Sequence, residues 1–214
     1  MNKRSLFWLV TFVVLAIFGT LALRAQNSAE AANVLRPPKG AKVALVVFED
    51  LECPDCSRAA PLVVEASKTY KIPVVRYDFP LPQHLWAFDA AVLAHYFGSK
   101  SPALGVDFRE YIFQHQTDIT GSNSQDETAQ KQRLRAAAEK FAAEHNTSVP
   151  FVVDPQGKLS AAVKAQRELG QRIGIQHTPT LYVVNNSRAG QPFIEVVDRA
   201  KLFQLIDQMR TTAD

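Results

Sequence analysis

Two sulfurs carry the first chemical signal. Cys53 and Cys56 are the only cysteines in the chain, and they stand in Phe48-Glu-Asp-Leu-Glu-Cys-Pro-Asp-Cys-Ser, where a strand-like run gives way to a helical one. A thiolate at the first turn of a helix meets unpaired backbone N–H groups and the positive end of the helix dipole. Pro54 suits the first helical position, where no N–H is needed. Cys56 lies one turn further on and closer to the core, so a disulfide can close and reopen while Cys53 alone stays accessible. The chemistry expected is thiol–disulfide exchange, with Cys53 forming the mixed disulfide and Cys56 resolving it. A purely structural bridge over so short a loop removes little chain entropy. A zinc site needs about four ligands, and the histidines (His84, His95, His115, His145, His177) are scattered at long intervals, so no metal is expected at this site.

Positioning such a pair requires a strand, a helix and a returning strand. Lys42 to Phe48 is a continuous apolar run, as in a strand covered on both faces. Ala59, Leu62, Val63, Ala66 and Tyr70 recur at helical spacing from Cys56 to Tyr70, with Pro61 inside that helix. Ile72 to Tyr77 reads as a second strand, which completes a βαβ unit. From His84 to Gly170 the periodicity is helical, with one stripe at Leu85, Phe88, Ala91, Val92 and Tyr96 and another at Leu134, Ala137, Ala138, Phe141 and Ala142. Trp86, Phe88, Tyr96 and Phe97 are expected to fill the core of this insert. Val149 to Gly157 fits either a short strand or, given Pro150 and Pro155, an ordered loop. Thr180–Val184 and Pro192–Val197 predict an antiparallel hairpin, and Asp198 caps a final helix. The order is βαβ, helical insert, ββα.

The totals place this unit outside the cytoplasm. Leu6 to Leu23 is an uncharged apolar run of 18 positions behind Lys3 and Arg4, long enough for about 27 Å of hydrocarbon. An uncleaved anchor is expected, with a cleaved signal segment ending near Ala29-Glu30-Ala31 as the alternative. Either sends the domain outward, where disulfides persist. Three of the 24 basic residues lie in this leader, so the remaining 21 balance the 21 acids and no basic face for nucleic acid emerges. The chain thus divides into residues 1–24 as membrane segment, 25–40 as linker, and 41–214 as one domain with an insertion at about 81–170. No Gly-rich phosphate loop is present, so no organic cofactor is expected.

With these residues in view, the sequence resembles the thioredoxin superfamily, in its DsbA-like branch. The resemblance rests on Phe48–Cys56, on Pro61 five residues after the second cysteine, and on Gly174-Ile-Gln-His-Thr-Pro-Thr-Leu-Tyr-Val-Val, similar to the loop that carries a cis-proline before the third core strand. It implies a thioredoxin-like α/β fold with a mixed sheet, a cis Pro179 against the cysteines, and Thr178 offering backbone groups to a bound client strand. It implies a thiol:disulfide oxidoreductase acting on client proteins and reoxidised by a quinone-linked membrane partner of DsbB or VKOR type. Two positions depart from the family pattern. Val47 stands where the branch has a buried acid, leaving Glu49, Asp50, Glu52, Asp55, His177 or water to serve. Asp55 stands between the cysteines, where a carboxylate is expected to raise the Cys53 pKa and make the pair less oxidising; His177, by the loop match, is expected near Cys53 to favour its thiolate. The rival readings are the same exchange run as a reductase or isomerase, a soft-metal carrier using Cys53, Cys56 and His177, and a peptide-binding chaperone with incidental thiols.

Overall fold

In the computed structural model, which describes residues 30–31, 33–123, 125–188 and 192–214, one mixed sheet organises the chain. Its central strand β1 (Val43–Glu49) is buried along its whole length. It pairs in parallel with β2 (Val74–Asp78) and antiparallel with β3 (Thr180–Asn185), and β4 (Phe193–Glu195) closes the far edge, in the order β2-β1-β3-β4. Both faces of β1 are covered, which is why the run is continuously apolar rather than alternating. Val43, Leu45 and Val47 meet Val63 and Ala66 of helix α1 (Pro54–Tyr70) and Leu202, Ile206 and Met209 of the last helix. Ala44, Val46 and Phe48 meet Phe79, Ile175, Tyr182 and Leu35. Leu35 belongs to the stretch read as a linker, yet it is buried here. The apolar run Leu6–Leu23 lies outside the described residues, and no described helix is long and apolar enough to cross a membrane.

The insert is built from α2 (Ala87–Lys100), α3 (Pro102–Gln114), α4 (Gln116–Thr120), α5 (Glu127–Glu144) and α6 (Lys158–Arg172). Ser101 and Asp126 cap α3 and α5 by accepting from Leu104 N and Ala129 N. Helices α2 and α3 meet at glycines: a Cβ on Gly105 would sit 2.7 Å from Gly98 Cα. Trp86, Phe97, Phe108, Leu134 and Phe141 form an aromatic core, with Phe97 and Phe108 centroids 4.6 Å apart. Leu51, Cys53 and Cys56 belong to that same cluster, so the insert is packed directly over the cysteine end of the sheet. Trp86 and Phe97 are buried as expected; Phe88 and Tyr96 are half-buried, Phe88 in a small satellite cluster with Val163.

One open alternative is decided for the loop, and two sequence expectations need adjustment. Residues 149–157 form no strand: Asp154 accepts from Leu159 N and Ser160 N at the start of α6, and Phe151 points to solvent, 96% exposed. The second hairpin strand is only Phe193–Glu195. Asp198 caps a 3₁₀ turn, Arg199–Lys201, before α7 (Leu202–Thr211) begins.

Candidate active site

The site grows out of the four residues that follow β1. Asp50, almost wholly buried, turns the chain: its Oδ1 accepts from Glu52 N at 2.7 Å and Cys53 N at 3.2 Å. Its Oδ2 accepts from Leu81 N at 2.7 Å and pairs with His84 Nδ1 at 2.7 Å, which ties the loop to the segment leaving β2. That carboxylate raises the His84 pKa. Glu52 looks the other way, its Oε2 accepting from Trp86 N and Ala87 N at the start of α2. Burial raises its pKa, although the backbone N–H groups of Trp86 and Leu85 pull it back. From α4, Gln116 Nε2 donates to Leu51 O and Cys53 O at 2.8 and 3.0 Å. The loop is held from three sides.

Cys53 is therefore the N-cap of α1, extended at φ −70 and ψ 119, with Pro54 at the first helical position as the sequence predicts. Cys53 is 7% exposed and Cys56 2%, and both thiols are free. The Cys53 Sγ lies 3.4 Å from Thr178 O, and the Thr178–Pro179 peptide is cis. The Thr178 Oγ1 is buried without a hydrogen-bond partner among the described residues. The Cys53 pKa falls from an ordinary 9 to about 5: a hydrogen bond from Cys56 contributes most, against burial, followed by the Thr178 side chain and the N–H groups of Cys56 and Asp55. Burial, with the neighbouring Cys53 sulfur, pushes the Cys56 thiol well above its ordinary value. The two sulfurs thus have opposite acid strengths. One is set to attack or leave as a thiolate, the other to keep its proton.

Beneath Cys56 lies a charge cluster that the sequence did not announce. Glu49, next on the β1 face that carries Val47, pairs with Arg76 Nη1 at 2.6 Å and Arg109 Nη1 at 3.0 Å. Arg109, from the otherwise apolar face of α3, also forks onto Asp78 at 2.7 and 2.8 Å, and His95 Nε2 meets Asp78 at 2.8 Å. Burial opposes it, but the Arg109 charge holds the Asp78 carboxyl below its usual range. Glu49 faces Cys56 closely enough to raise its pKa. Of the five acids and bases considered for the vacant place at Val47, Glu49 acts on Cys56 through its charge, while Asp50 donates its backbone N–H to Cys56 Sγ at 3.4 Å. Two guanidinium groups pair with Glu49. A charged residue in an apolar helical stripe, such as Arg109 between Phe108 and Ile112, is the signal that could have revealed the cluster.

The structure places two further predicted residues around this site. The Asp55 carboxylate is taken up by Arg58, at 3.1 Å, and by Arg199, while its N–H is among the groups that lower the Cys53 pKa. His177 is exposed, and its carbonyl accepts from Thr180 Oγ1. Among the described residues no group of three or more His, Cys, Asp or Glu is arranged to hold a metal ion.

The comparisons agree with this geometry. The thioredoxin family model matches residues 38–200, and the chain belongs to that family. Its fold is the DsbA-like form. Wolbachia pipientis alpha-DsbA1 superposes with a TM-score of 0.61 at 18% identity, covering 85% of this chain and 96% of that one. The catalytic domain of Proteus mirabilis ScsC gives 0.62 at 20% identity, with 87% and 98% covered. A periplasmic thioredoxin-like protein from Salmonella enterica serovar Typhimurium gives 0.57 at 19%, with 82% and 88% covered. Comparison with curated protein sequences finds no significant match.

Proposed function

We propose that the protein is an extracytoplasmic thiol:disulfide oxidoreductase that oxidises cysteine pairs in client proteins. The observation that carries this reading is the Cys53 sulfur, set at a helix N-cap beside the cis Thr178–Pro179 loop with its pKa drawn to about 5. In the oxidised enzyme a client thiolate attacks Cys53 Sγ. The Cys53–Cys56 bond breaks, and its electron pair leaves on Cys56, which takes up a proton because burial raises its pKa. The client's second thiolate then attacks the client sulfur of the mixed disulfide. Cys53 departs as a thiolate, and its low pKa makes it a good leaving group. Two electrons pass from client to enzyme. Thr178 and Pro179 would hold the client backbone, and Val197, 88% exposed just beyond the residue that bonds Leu181 O, offers an apolar contact beside them.

The leader Leu6–Leu23 would tether the domain to the membrane, within reach of a quinone-linked partner of DsbB or VKOR type that returns the pair to the disulfide. The name of one similar structure, a periplasmic thioredoxin-like protein, supports the compartment. The deciding experiment is the equilibrium reduction potential of Cys53–Cys56 in glutathione buffers. A value towards about −120 mV supports an oxidant, whereas one towards about −270 mV makes the protein a reductase. If no reversible disulfide forms, the exchange chemistry itself is refuted.

A further inference from the structure

Every acid around the Cys53 sulfur has a partner, and Asp55 draws one from the side of the cis-proline loop. Asp50 is taken up by backbone N–H groups and His84, Glu52 by the start of α2, and Glu49 by Arg76 and Arg109. Asp55 lies inside the Cys-Pro-Asp-Cys turn itself, on the first turn of α1. Its Oδ1 has Arg58 Nη2 at 3.1 Å, a neighbour on the same helix that is 67% exposed. Its Oδ2 is taken by Arg199 Nη2, which comes from the 3₁₀ turn before α7 and is only 36% exposed. That turn is anchored. Asp198 Oδ1 accepts from Ala200 N at 3.0 Å, and Val196 N donates to Leu181 O at 2.8 Å, fixing the approach to β3. Strand β3 opens immediately after Pro179. Arg199 therefore reaches Asp55 from the framework that carries the cis-proline loop.

We propose that Arg199 is a positioning residue of the redox pair: by binding Asp55 it cancels the carboxylate that the Cys-Pro-Asp-Cys sequence places beside the Cys53 sulfur, and it joins the redox helix to the strand of the cis-proline. An acidic dipeptide between the cysteines then coexists with an acidic Cys53. Arg58 alone does not do this, because an exposed pair within one helix is screened by water and contributes little. The inference rests on the reading of Cys53 as the exchanging sulfur.

The test is the ultraviolet titration of the Cys53 thiolate in reduced wild type, Arg199→Gln, Arg199→Lys, Asp55→Asn and the double variant Asp55→Asn/Arg199→Gln. With its cation gone, Asp55 acts on Cys53 as a bare like charge, and Arg199→Gln should raise the pKa by roughly 0.5–1, about a three- to tenfold fall in the thiolate-to-thiol ratio. Asp55→Asn leaves Arg199 unpaired and should lower the pKa. The double variant should return to the wild-type value, and Arg199→Lys should stay close to it. Opposite signs in the two single variants support the electrostatic role. Shifts of the same sign, or no shift in Arg199→Gln, overturn it, since a contact that only staples the turn would behave that way. The titration needs neither client nor redox buffer. A wild-type pKa near 9 would overturn the site reading and this proposal together, whereas a thioredoxin-like potential would remove only the oxidising direction.

Discussion

The opposed acidities of the two sulfurs predict how the potential depends on pH. With Cys53 near 5 and Cys56 well above 9, the reduced pair carries one proton rather than two across neutral pH. One proton per two electrons makes the potential fall by about 30 mV per pH unit, whereas two protons make it fall by about 59 mV. Lowering the pH should therefore reveal a break near 5: a shallow slope above it and a doubled slope below. At pH 7 the thiolate lies about two units above its pKa, about 2.7 kcal/mol of preference for the reduced form, or roughly 60 mV of added oxidising strength over an ordinary thiol pair. The same preference appears in folding. Cys53 is depressed on folding, so it adds nothing below pH about 5 and contributes progressively as the pH rises to 9, fully only above that. The reduced protein should gain stability over the oxidised form on going from pH 5 to 7. The assay is equilibration with glutathione at fixed ratios from pH 4 to 8, correcting for the buffer's own titration. A constant slope of about 59 mV per unit throughout would refute the assignment. A second check is Cys56→Ala, which removes the largest contribution to the shift; the Cys53 pKa should then climb.

Two predictions concern the frame around the site. Arg109→Ala leaves Glu49 and Asp78 buried with only Arg76 and His95 beside them, and should cost about 3 kcal/mol in chemical denaturation, the low end for a broken buried pair. The Arg109 charge depresses the Asp78 pKa, so that pairing stabilises the fold at neutral pH and is lost as the pH falls through the depressed value. The variant's acid unfolding should accordingly begin at a higher pH than wild type. Gly170→Ala improves helix propensity by up to about 1 kcal/mol, but its Cβ would stand 2.6 and 2.8 Å from ring carbons of the buried Phe79 and 3.3 Å from Phe48. Overpacking wins, with a net loss of about 1–2 kcal/mol in the same denaturation assay; an unchanged or raised midpoint would show that the ring yields.

Much of the fold was legible because its signals are local. The apolar run before Cys53, the helical spacing after it and the turn-rich link before Phe193 each state their element without reference to distant residues. The cysteine pair was legible for the same reason: two residues of spacing and a following helix are enough to put one sulfur at an N-cap. The insert's aromatics declared themselves by size and period, and Trp86, Phe97 and Phe141 are buried.

What the sequence misjudged was charge. Read along the chain, Glu49, Asp50, Glu52 and Asp55 crowd the cysteines, and the expected outcome is repulsion of a thiolate. In the folded chain each is taken by a group remote in sequence: Arg109 for Glu49, His84 for Asp50, the start of α2 for Glu52, Arg199 for Asp55. Electrostatic influence depends on distance in space and on what else lies there, and neither can be read from spacing. The position of Cys53 was determined by four neighbouring residues. Its acidity comes first from Cys56 on the next turn and then from burial and Thr178, which only the fold brings to the sulfur, because only the tertiary structure determines which groups surround a charge.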